Sequence, residues 1–370
     1  MTENRLQIAV LFGGRSGEHD VSLMSARSIL DALDPEKYAI TQVGITRDGV
    51  WLSGENALDA LIAGETDNLQ VVTLLPDPTR RGLYRLKETD SGTVLEPFAE
   101  IDVFLPVLHG TFGEDGTLQG LLEMAGMAYV GAGVLGSAVG MDKAVFKDVM
   151  RAHDIPVVDG FVVSRREIQT DMAAILVRAE AELGMYPLFV KPVNQGSSVG
   201  VSRCKNRAEL RAGLLDAARY DRRVLIEHGV LAREIEISVL GNDSPEASLP
   251  GEIRPAAEFY SYEAKYHDSR SELLIPALIS DKMAEQMRSI AVSAYRAIDC
   301  AGMARVDFLL DRETGDFYLN EVNTLPGFTQ ISMYPKLWAA SGLSYPQLLD
   351  RLIQLALERR QEREQTRFES

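Results

Sequence analysis

A segment near the carboxyl end of the chain, ARVDFLLDRETGDFYLNEVN at residues 304–323, constrains the fold more than any other. Two runs rich in aliphatic and aromatic residues flank a polar stretch at 311–316, a pattern that predicts a β-hairpin. The apolar side chains of both runs indicate that the strand pair is buried: Val306, Phe308, Leu309, Phe317 and Leu319. Acidic residues on a buried strand pair need partners. The alternative is a solvated hairpin whose charges face water.

The polar residues of this hairpin fall on common faces, because side chains two apart on a strand point the same way: Arg305 with Asp307, and Glu321 with Asn323. If the hairpin closes with Asp311 opposite Phe317, Asp307 lies opposite Glu321 and Arg305 lies opposite Asn323. Opposed Cβ atoms are about 5 Å apart, so the two carboxylates repel each other unless a cation lies between them. Oxygen ligands with no cysteine or nearby histidine favour Mg²⁺ or Mn²⁺.

The first third of the chain is typical of a parallel α/β sheet. Residues 7–12 form a short apolar run, residues 13–17 form a glycine-rich turn, and a helical periodicity follows. Further strand patterns occupy residues 41–45 and 101–108. Strands separated by helical patterns predict parallel pairing with right-handed crossovers. The polar, turn-rich stretch 65–100 predicts a hairpin excursion.

After residue 150 the pattern changes to mixed α+β, with several short connections between strands. The predicted strands are 188–193, 224–227, 235–240, 303–310 and 317–322, and the predicted helices are 171–183, 281–298 and 346–357. The charged tail from residue 358 onward is expected to fray. A length of 370 residues allows two to three domains. We expect them at 1–140, 141–228 and 229–370.

Charge excludes several classes of partner. With 38 basic and 54 acidic residues, the net charge is −16, which disfavours binding to nucleic acid or to an anionic membrane. No apolar run approaches the roughly 18 residues of a membrane span, so we expect no membrane insertion.

The two cysteines, Cys204 and Cys300, fit neither a disulfide framework nor zinc spacing. A cytoplasmic location is therefore expected.

Several residues could handle phosphate. Lys191 ends an apolar strand, and a loop of small residues follows at 196–200, containing Ser197 and Ser198. Backbone N–H groups and hydroxyls of such a loop can surround phosphate oxygens, and a lysine adds positive charge. The loop lacks the Walker A pattern, and a plain glycine turn is the alternative.

Three other charged residues are weaker candidates by themselves. Lys143 follows Met-Asp and reads equally well as a solvated helix lysine. Glu227 and Glu234 flank a short turn after a strand, where a ribose hydroxyl could be held. Surface carboxylates are the alternative reading there.

In combination these features resemble the ATP-grasp superfamily, and within it the D-alanine–D-alanine ligase family. The matching segments cover nearly the whole chain: GGRSGEHDVSL (13–23), HGTFGEDGTLQG (109–120), GSAVGMDK (136–143), VKPVNQGSSVGVS (190–202), EAKY (263–266) and NEVNTLPGFTQISM (320–333). The resemblance implies an α/β plus α+β protein, in which an N-terminal parallel-sheet (pre-ATP-grasp) domain precedes a two-lobed ATP-grasp fold.

The resemblance implies that ATP binds between the two lobes. Lys143 and Lys191 would contact the α- and β-phosphates, and the loop with Ser197 and Ser198 would cover the phosphates. Glu227 and Glu234 would bind the adenine side and the ribose hydroxyls. Lys265 would reach the γ-phosphate from a mobile loop. His228 stands where some relatives have lysine, so no role is given to it.

The resemblance also implies how two D-alanine molecules are held. Glu18 would bind the ammonium group of the first, and His109 would orient its carboxylate. Arg305 and the backbone of Gly327 would face the developing oxyanion. Ser332 would receive the carboxylate of the second D-alanine.

Two further implications concern metal and specificity. Asp307, Glu321 and Asn323 would hold two Mg²⁺ or Mn²⁺ ions. Tyr266 follows the loop lysine, and in this family a tyrosine there accompanies D-alanine as second substrate, whereas phenylalanine accompanies D-lactate. Tyr266 could form a hydrogen-bonded link with Ser197 and Glu18. This link is a candidate for the base that deprotonates the attacking amine, but the sequence does not identify the base.

The implied function is ATP-dependent joining of two D-alanine molecules through an acyl phosphate, for peptidoglycan precursor synthesis, by a homodimer formed through the first domain. An ATP-grasp ligase that makes a different D-alanyl peptide or ester is the nearest alternative. A nucleotide sensor without turnover is a second. A Rossmann dehydrogenase is disfavoured, because the first glycine loop lacks G-x-G-x-x-G spacing.

Overall fold

The structure is a computed structural model that describes residues 5–90, 92–254 and 272–367. Three sheets of eight, four and six strands organise these residues. Each sheet takes its strands from one continuous part of the chain.

The first sheet is mixed. Its elements are β1 (Leu6–Gly13), α1 (His19–Ala32), β2 (Tyr38–Ile45), β3 (Trp51–Ser53), α2 (Ala57–Ala63), β4 (Gln70–Leu74), β5 (Leu83–Thr89), β6 (Gly92–Ala99), β7 (Val103–Val107), α3 (Thr117–Met124), β8 (Ala128–Tyr129) and α4 (Val134–Met141). The strand order is β6-β5-β4-β3-β2-β1-β7-β8. Strands β2, β1 and β7 pair in parallel, as predicted. The short strand β8, which the sequence pattern did not indicate, extends this parallel part.

The stretch 65–100 corrects the expectation of a purely parallel sheet. It forms the predicted hairpin, β5 with β6, but β4 also joins β3, so antiparallel strands extend the sheet on one side. The parallel strands are nearly continuous apolar runs because both of their faces are covered; β1 is buried from Ile8 to Phe12.

The second sheet is antiparallel, in the order β11-β10-β12-β9. It is built from α5 (Lys143–Ala152), β9 (Gly160–Ser164), α6 (Arg165–Thr170), α7 (Met172–Leu183), β10 (Leu188–Pro192), β11 (Ser202–Cys204), α8 (Arg207–Tyr220) and β12 (Arg223–His228). Helices α7 and α8 bury their apolar faces against one side of this sheet. The other side is therefore left to face the rest of the molecule.

The third sheet contains the carboxylate hairpin. Its elements are β13 (Ala232–Leu240), β14 (Glu246–Ala247), β15 (Gly251–Arg254), β16 (Glu272–Leu274), α9 (Asp281–Ala297), β17 (Met303–Asp311), β18 (Phe317–Asn323), α10 (Met333–Ala340) and α11 (Tyr345–Arg363). The strand order is β16-β15-β13-β17-β18, and β14 pairs with β13. Helix α9 covers one face of β13 and β17.

The hairpin register confirms one expectation and corrects another. Asp307 lies opposite Glu321, and Arg305 lies opposite Asn323, as predicted. Near the turn the pairing is shifted by one residue, because Phe317 pairs with Leu310 and not with Asp311. A β-bulge after Asp307 absorbs the extra residue.

The carboxyl-terminal helix α11 runs through Arg363, so the tail does not fray from residue 358 as expected. Its apolar face lies in the same core as β1 and β7, through Leu348, Leu352 and Leu355. Arg359 donates to the backbone carbonyls of Tyr129 and Gly131, which ties the helix to β8. The division at residues 140 and 228 remains a proposal, supported by the placement of each sheet's strands within one part.

Across the described ranges, none of the helices combines the length and the apolar character that a bilayer crossing requires.

Candidate active site

Strands β13, β17 and β18 present one apolar face and one polar face. Residues Ile235, Ile237, Val306, Phe308 and Val322 point into the core beneath helix α9. Because side chains alternate along a strand, the residues between them share the opposite face. That face carries the polar residues Glu234, Glu236, Arg305, Asp307, Glu321 and Asn323.

Three carboxylates lie side by side on this face, one from each strand. Glu236 is in register with Asp307, and Asp307 is in register with Glu321. Arg305 joins the row: it donates from Nε and Nη2 to the two oxygens of Asp307, each at 2.7 Å, and its Nε lies 3.0 Å from Glu236. Burial opposes the charge on Arg305, but the nearby Asp307 and Glu236 outweigh burial and raise its pKa.

The predicted metal ligands lie together on the hairpin. Asn323 donates from Nδ2 to Asp307 at 2.9 Å, and Glu321 is opposite Asp307. Among the residues that the structure describes, no group of three or more histidine, cysteine, aspartate or glutamate residues is arranged as a metal site. The donor set of two carboxylates and one amide oxygen nevertheless fits a hard, oxygen-preferring cation.

A buried lysine–glutamate–lysine cluster lies on the second sheet. Glu227 on β12 accepts from Lys191 on β10 at 2.6 Å, and its other oxygen lies 2.5 Å from Lys147 on α5. The side chains of Glu227 and Lys147 are 2% exposed. Burial raises the pKa of Glu227, but the two lysines outweigh it and bring that pKa to about 2.

The pKa values of the two lysines of the cluster are shifted in opposite directions. Burial lowers the pKa of Lys147, and Glu227 offsets this only in part. Burial acts on Lys191 in the same sense, but Glu227, Glu321 and Glu234 together raise its pKa. The expected contact of Glu227 with the nucleotide stays a prediction; in the structure its carboxylate bridges two ammonium groups.

Helix α5 places two lysines on the same side because they are four residues apart. Asp142 caps the helix by accepting from the backbone of Ala144 and Val145. Arg223 of β12 pairs with Asp142, which fixes the start of the helix. Lys143 donates to the carbonyl of Gln195 at 2.6 Å, so the first lysine reaches the small-residue loop.

The loop at residues 194–200 is held at its first residue and at its middle. Asp221 accepts from the backbone of Asn194 at 2.7 Å. Ser197 and Ser198 have positive φ angles of 46° and 59°, an uncommon conformation for residues other than glycine. Ser197 donates a hydrogen bond to the carboxylate of Glu18, so this loop touches the first glycine-rich turn of the chain.

Glu18 sits in a tight pocket of glycines. A Cβ atom added to Gly110 would lie 2.6 Å from Glu18 Oε2, and one added to Gly196 would lie 2.9 Å from it. Backbone from two distant loops can therefore approach the carboxylate closely only because both positions lack a side chain.

Both ring nitrogens of His109 have hydrogen-bond partners within the protein. Its Nδ1 donates to the carbonyl of Leu325 at 2.9 Å, and its Nε2 lies 3.2 Å from Ser25 Oγ. Burial lowers the pKa of His109. Glu114 accepts from the backbone of Gly110 and of Leu325, which links the His109 loop to the segment after the hairpin.

Gly327 and Ser332 lie on the segment that follows β18. Thr329 donates from its backbone to Ser332 Oγ at 3.1 Å, and Ser332 is the N-cap residue that precedes helix α10. A Cβ atom on Gly327 would lie 3.2 Å from Ser332 Oγ, so these two residues adjoin.

One contact joins the second sheet to the hairpin. Lys191 Nζ donates to Asn320 Oδ1 at 3.4 Å, and Asn320 is the extra residue at the bulge. The expected phosphate-binding residues thus adjoin the expected metal hairpin. Lys265 and Tyr266 lie outside the described residues, so the roles expected for them stay predictions.

Comparison with known families identifies the chain. The family model for the D-ala D-ala ligase N-terminus matches residues 7–132, and that for the C-terminus matches residues 149–354. The chain belongs to the D-alanine–D-alanine ligase family.

Relatives in the family match nearly end to end. The D-alanine–D-alanine ligase of Natranaerobius thermophilus is 49% identical over 361 residues, which cover 97% of each chain. That of Heliobacterium modesticaldum is 51% identical and covers 98% of this chain and 97% of its own.

Solved structures agree on the fold. The D-alanine–D-alanine ligase of Coxiella burnetii superposes with a TM-score of 0.81 at 37% identity, covering 98% of this chain and 97% of its own. The VanG D-Ala:D-Ser ligase of Enterococcus faecalis superposes with a TM-score of 0.83 at 34% identity, covering 95% and 100%. The expected ATP-grasp architecture is confirmed.

Three residues of the site were missed from sequence. Lys147 has a detectable signal, since it lies one helical turn after Lys143. Glu236 also has one, because it alternates with Glu234 along β13. Glu114 has none beyond its place in the motif at 109–120, because its partners come from distant loops.

Proposed function

We propose that this protein joins two molecules of D-alanine with consumption of ATP, releasing ADP and phosphate, and thereby makes D-alanyl-D-alanine for peptidoglycan precursors. The observation that carries the proposal is the hydrogen bond from Ser197 to Glu18. It brings the loop expected to cover phosphate against the carboxylate expected to bind an amino acid. A phosphate and an amino-acid carboxylate can meet only where two such sites adjoin.

On the nucleotide side, the proposed ligands are Lys143, Lys191, Ser197 and Ser198, with Glu227, Glu234 and Lys265. Lys143 donates to the carbonyl of Gln195 in the loop at 194–200, and Lys191 lies on β10 just before that loop. Their charge would offset that of the triphosphate. Phosphoryl transfer depends mainly on such positioning and neutralisation of charge.

For the metal, Asp307, Glu321 and Asn323 are the proposed ligands of two Mg²⁺ or Mn²⁺ ions. Bound there, the ions would neutralise phosphate charge and hold the triphosphate in line for attack. Arg305 donates to both oxygens of Asp307. The Arg305 side chain would therefore have to move away from Asp307 when the metals and substrates bind.

For the first substrate, Glu18 is proposed to hold the ammonium group, while His109 orients the carboxylate. That carboxylate attacks the γ-phosphate and gives an acyl phosphate with ADP as leaving group. His109 is buried, and burial lowers its pKa. Its Nε2 lies 3.2 Å from Ser25 Oγ, so it would exchange this contact for one to the substrate carboxylate.

For the second substrate, Ser332 is proposed to bind the carboxylate while the amine attacks the acyl carbon and phosphate leaves. Arg305 and the backbone N–H of Gly327 would stabilise the tetrahedral oxyanion; one such donor is typically worth about 3–4 kcal/mol. The Tyr266–Ser197–Glu18 link is the proposed route for the proton that the ammonium group of the second D-alanine loses before its amine attacks.

A coupled ADP assay with product mass tests the proposal. With D-alanine and Mg²⁺ we expect ADP release and a dipeptide of the mass of D-Ala-D-Ala. Parallel reactions add D-serine or D-lactate to D-alanine. Mixed products at the expense of D-Ala-D-Ala would contradict the choice of second substrate, and ADP release only with other acids would contradict the reaction.

Two wider expectations accompany this proposal. Both cysteines are free and buried, which suits the reducing cytoplasm where ATP is available. The homodimer expected through the first domain is measured by sedimentation velocity, where a monomer at micromolar concentration would contradict it.

A further inference from the structure

Lys147 is a buried charge that the proposed chemistry does not use. It projects from α5, is 2% exposed, and its ammonium lies 2.5 Å from Glu227. Burying a charged lysine has a large desolvation cost. An apolar residue would have a lower cost at this position, so we ask what the charge of Lys147 does for the site.

The cluster gives that charge a consequence. Glu227 divides its two oxygens between Lys147 and Lys191, so two ammonium groups share one carboxylate and the three groups sum to +1. Without Lys147 the sum is zero, and both Glu227 oxygens become available to Lys191.

Lys191 is the outward member of the cluster. Its side chain is 16% exposed, against 2% for Glu227, and it reaches Asn320 on the hairpin. The positive charge of buried Lys147 therefore adds to the electrostatic potential at Lys191, which faces the site.

Resting on the proposed function, we propose that Lys147 is a positioning residue for phosphate binding: it holds Glu227 so that Lys191 presents a net positive charge to the nucleotide phosphates. Lys147 itself touches no substrate. Its effect therefore depends entirely on Lys191 and on the presence of phosphates in the ligand.

The test compares binding of Mg-ADP and of adenosine to the full chain, by calorimetry and NMR titration. We expect Lys147→Met to weaken Mg-ADP binding about tenfold or more, equivalent to ~1.4 kcal/mol. The KM for D-alanine should stay within about twofold of wild type. Adenosine has no phosphate for Lys191 and is proposed to meet only Glu227 of the cluster, so its affinity should fall by less than about threefold. Equal losses for adenosine and Mg-ADP would overturn the proposal, because they would indicate a collapsed pocket.

A double-mutant cycle with Lys191→Met isolates the route of the effect. In the Lys191→Met background, adding Lys147→Met should weaken Mg-ADP binding by less than about threefold. Full additivity of the two losses would overturn the proposal.

Two variants guard against misfolding and non-specific charge effects. Lys147→Gln keeps a donor to Glu227 without the charge; if Lys147→Met does not fold, the same comparisons made with Lys147→Gln decide the matter. Arg151→Met is the matched control, since Arg151 lies one turn later on α5 and pairs with exposed Asp148. We expect it to bind Mg-ADP like wild type, and an equal loss there would count against the proposal.

Failure of this inference is separable from failure of the proposed function. If the wild type binds Mg-ADP but does not ligate D-alanine, only the proposed function fails. If it ligates D-alanine and Lys147→Met binds Mg-ADP normally, only the role of Lys147 fails.

Discussion

Asp307 on β17 and Glu321 on β18 face each other directly across the hairpin, on the polar side of the sheet. Like charges in opposed positions destabilise a strand pair. Arg305 offsets this repulsion by binding Asp307 through two nitrogen atoms. The hairpin therefore holds two closely placed acids whose arrangement suits a cation.

The first prediction concerns this acid pair. Asp307→Asn should lower ligation turnover by at least about 100-fold, because a metal contact in such a site is worth several kcal/mol. Steady-state kinetics over a range of Mg²⁺ concentrations measures it, and excess chelator should abolish wild-type turnover. Asp311→Asn, at the end of β17, is the control, since an asparagine there can still accept from the backbone N–H of Glu313. Full turnover of Asp307→Asn would contradict the metal assignment.

A second prediction concerns the glycine pocket around Glu18. In Gly196→Ala the new Cβ would lie 2.9 Å from Glu18 Oε2, so the carboxylate must move. A displacement of this kind can cost about 100-fold in kcat/KM for D-alanine.

The matched control for that variant is Gly120→Ala on helix α3, where an added Cβ meets nothing within 4 Å. It should keep wild-type kinetics and gain roughly 0.5–1 kcal/mol of stability from helix propensity. If Gly196→Ala is as active as Gly120→Ala, the Glu18 contact is unimportant for catalysis.

The third prediction is a pH dependence of stability that arises from Glu227. Its pKa of about 2 in the folded protein lies below the ordinary glutamate pKa of 4.5, so its contribution is present above pH 4.5 and is lost as the pH falls toward 2. Wild type should exceed Glu227→Gln in unfolding free energy at pH 5. Below pH 4.5 the difference should shrink by up to about 1.4 kcal/mol per pH unit.

Urea denaturation of both proteins at pH 5, 4 and 3 measures this difference. A difference that stays constant over the series would show that Glu227 titrates alike in the folded and unfolded states, contrary to the ion-pair cluster.

A fourth prediction concerns the attachment of the last helix. The Arg359 guanidinium lies 4.2 Å from the ring centroid of Tyr129 and donates to two backbone carbonyls of the first sheet's edge. Arg359→Met should cost roughly 2 kcal/mol of unfolding free energy. Arg351→Met, which removes an exposed pair with Glu358, should change it by less than about 0.5 kcal/mol. Equal effects in thermal denaturation would contradict a special role for Arg359.

Much of the fold could be predicted, and the errors fall at places where distant parts of the chain meet. The alternation in 304–323 was sufficient to put Asp307 opposite Glu321. The bulge that shifts Phe317 to Leu310 was not predictable, because Asn320 leaves the regular ladder in a place where it contacts Lys191 of another sheet. Similarly, α11 continues past residue 358 because it is packed against β7 and β8 and clamped by Arg359.

The features of the site likewise fall into those that the sequence predicted and those that only the tertiary structure revealed. Periodicity and motif order, which are properties of neighbouring residues, determined the family, the parallel strands, the hairpin and the identity of its polar face. Only the tertiary structure decided that Glu227 bridges Lys147 and Lys191, and that Ser197 meets Glu18 across 179 residues. The physical reason is that local patterns follow from backbone geometry within a few residues, whereas burial and ion pairing depend on which surfaces dock, and no short stretch of sequence encodes its distant partner.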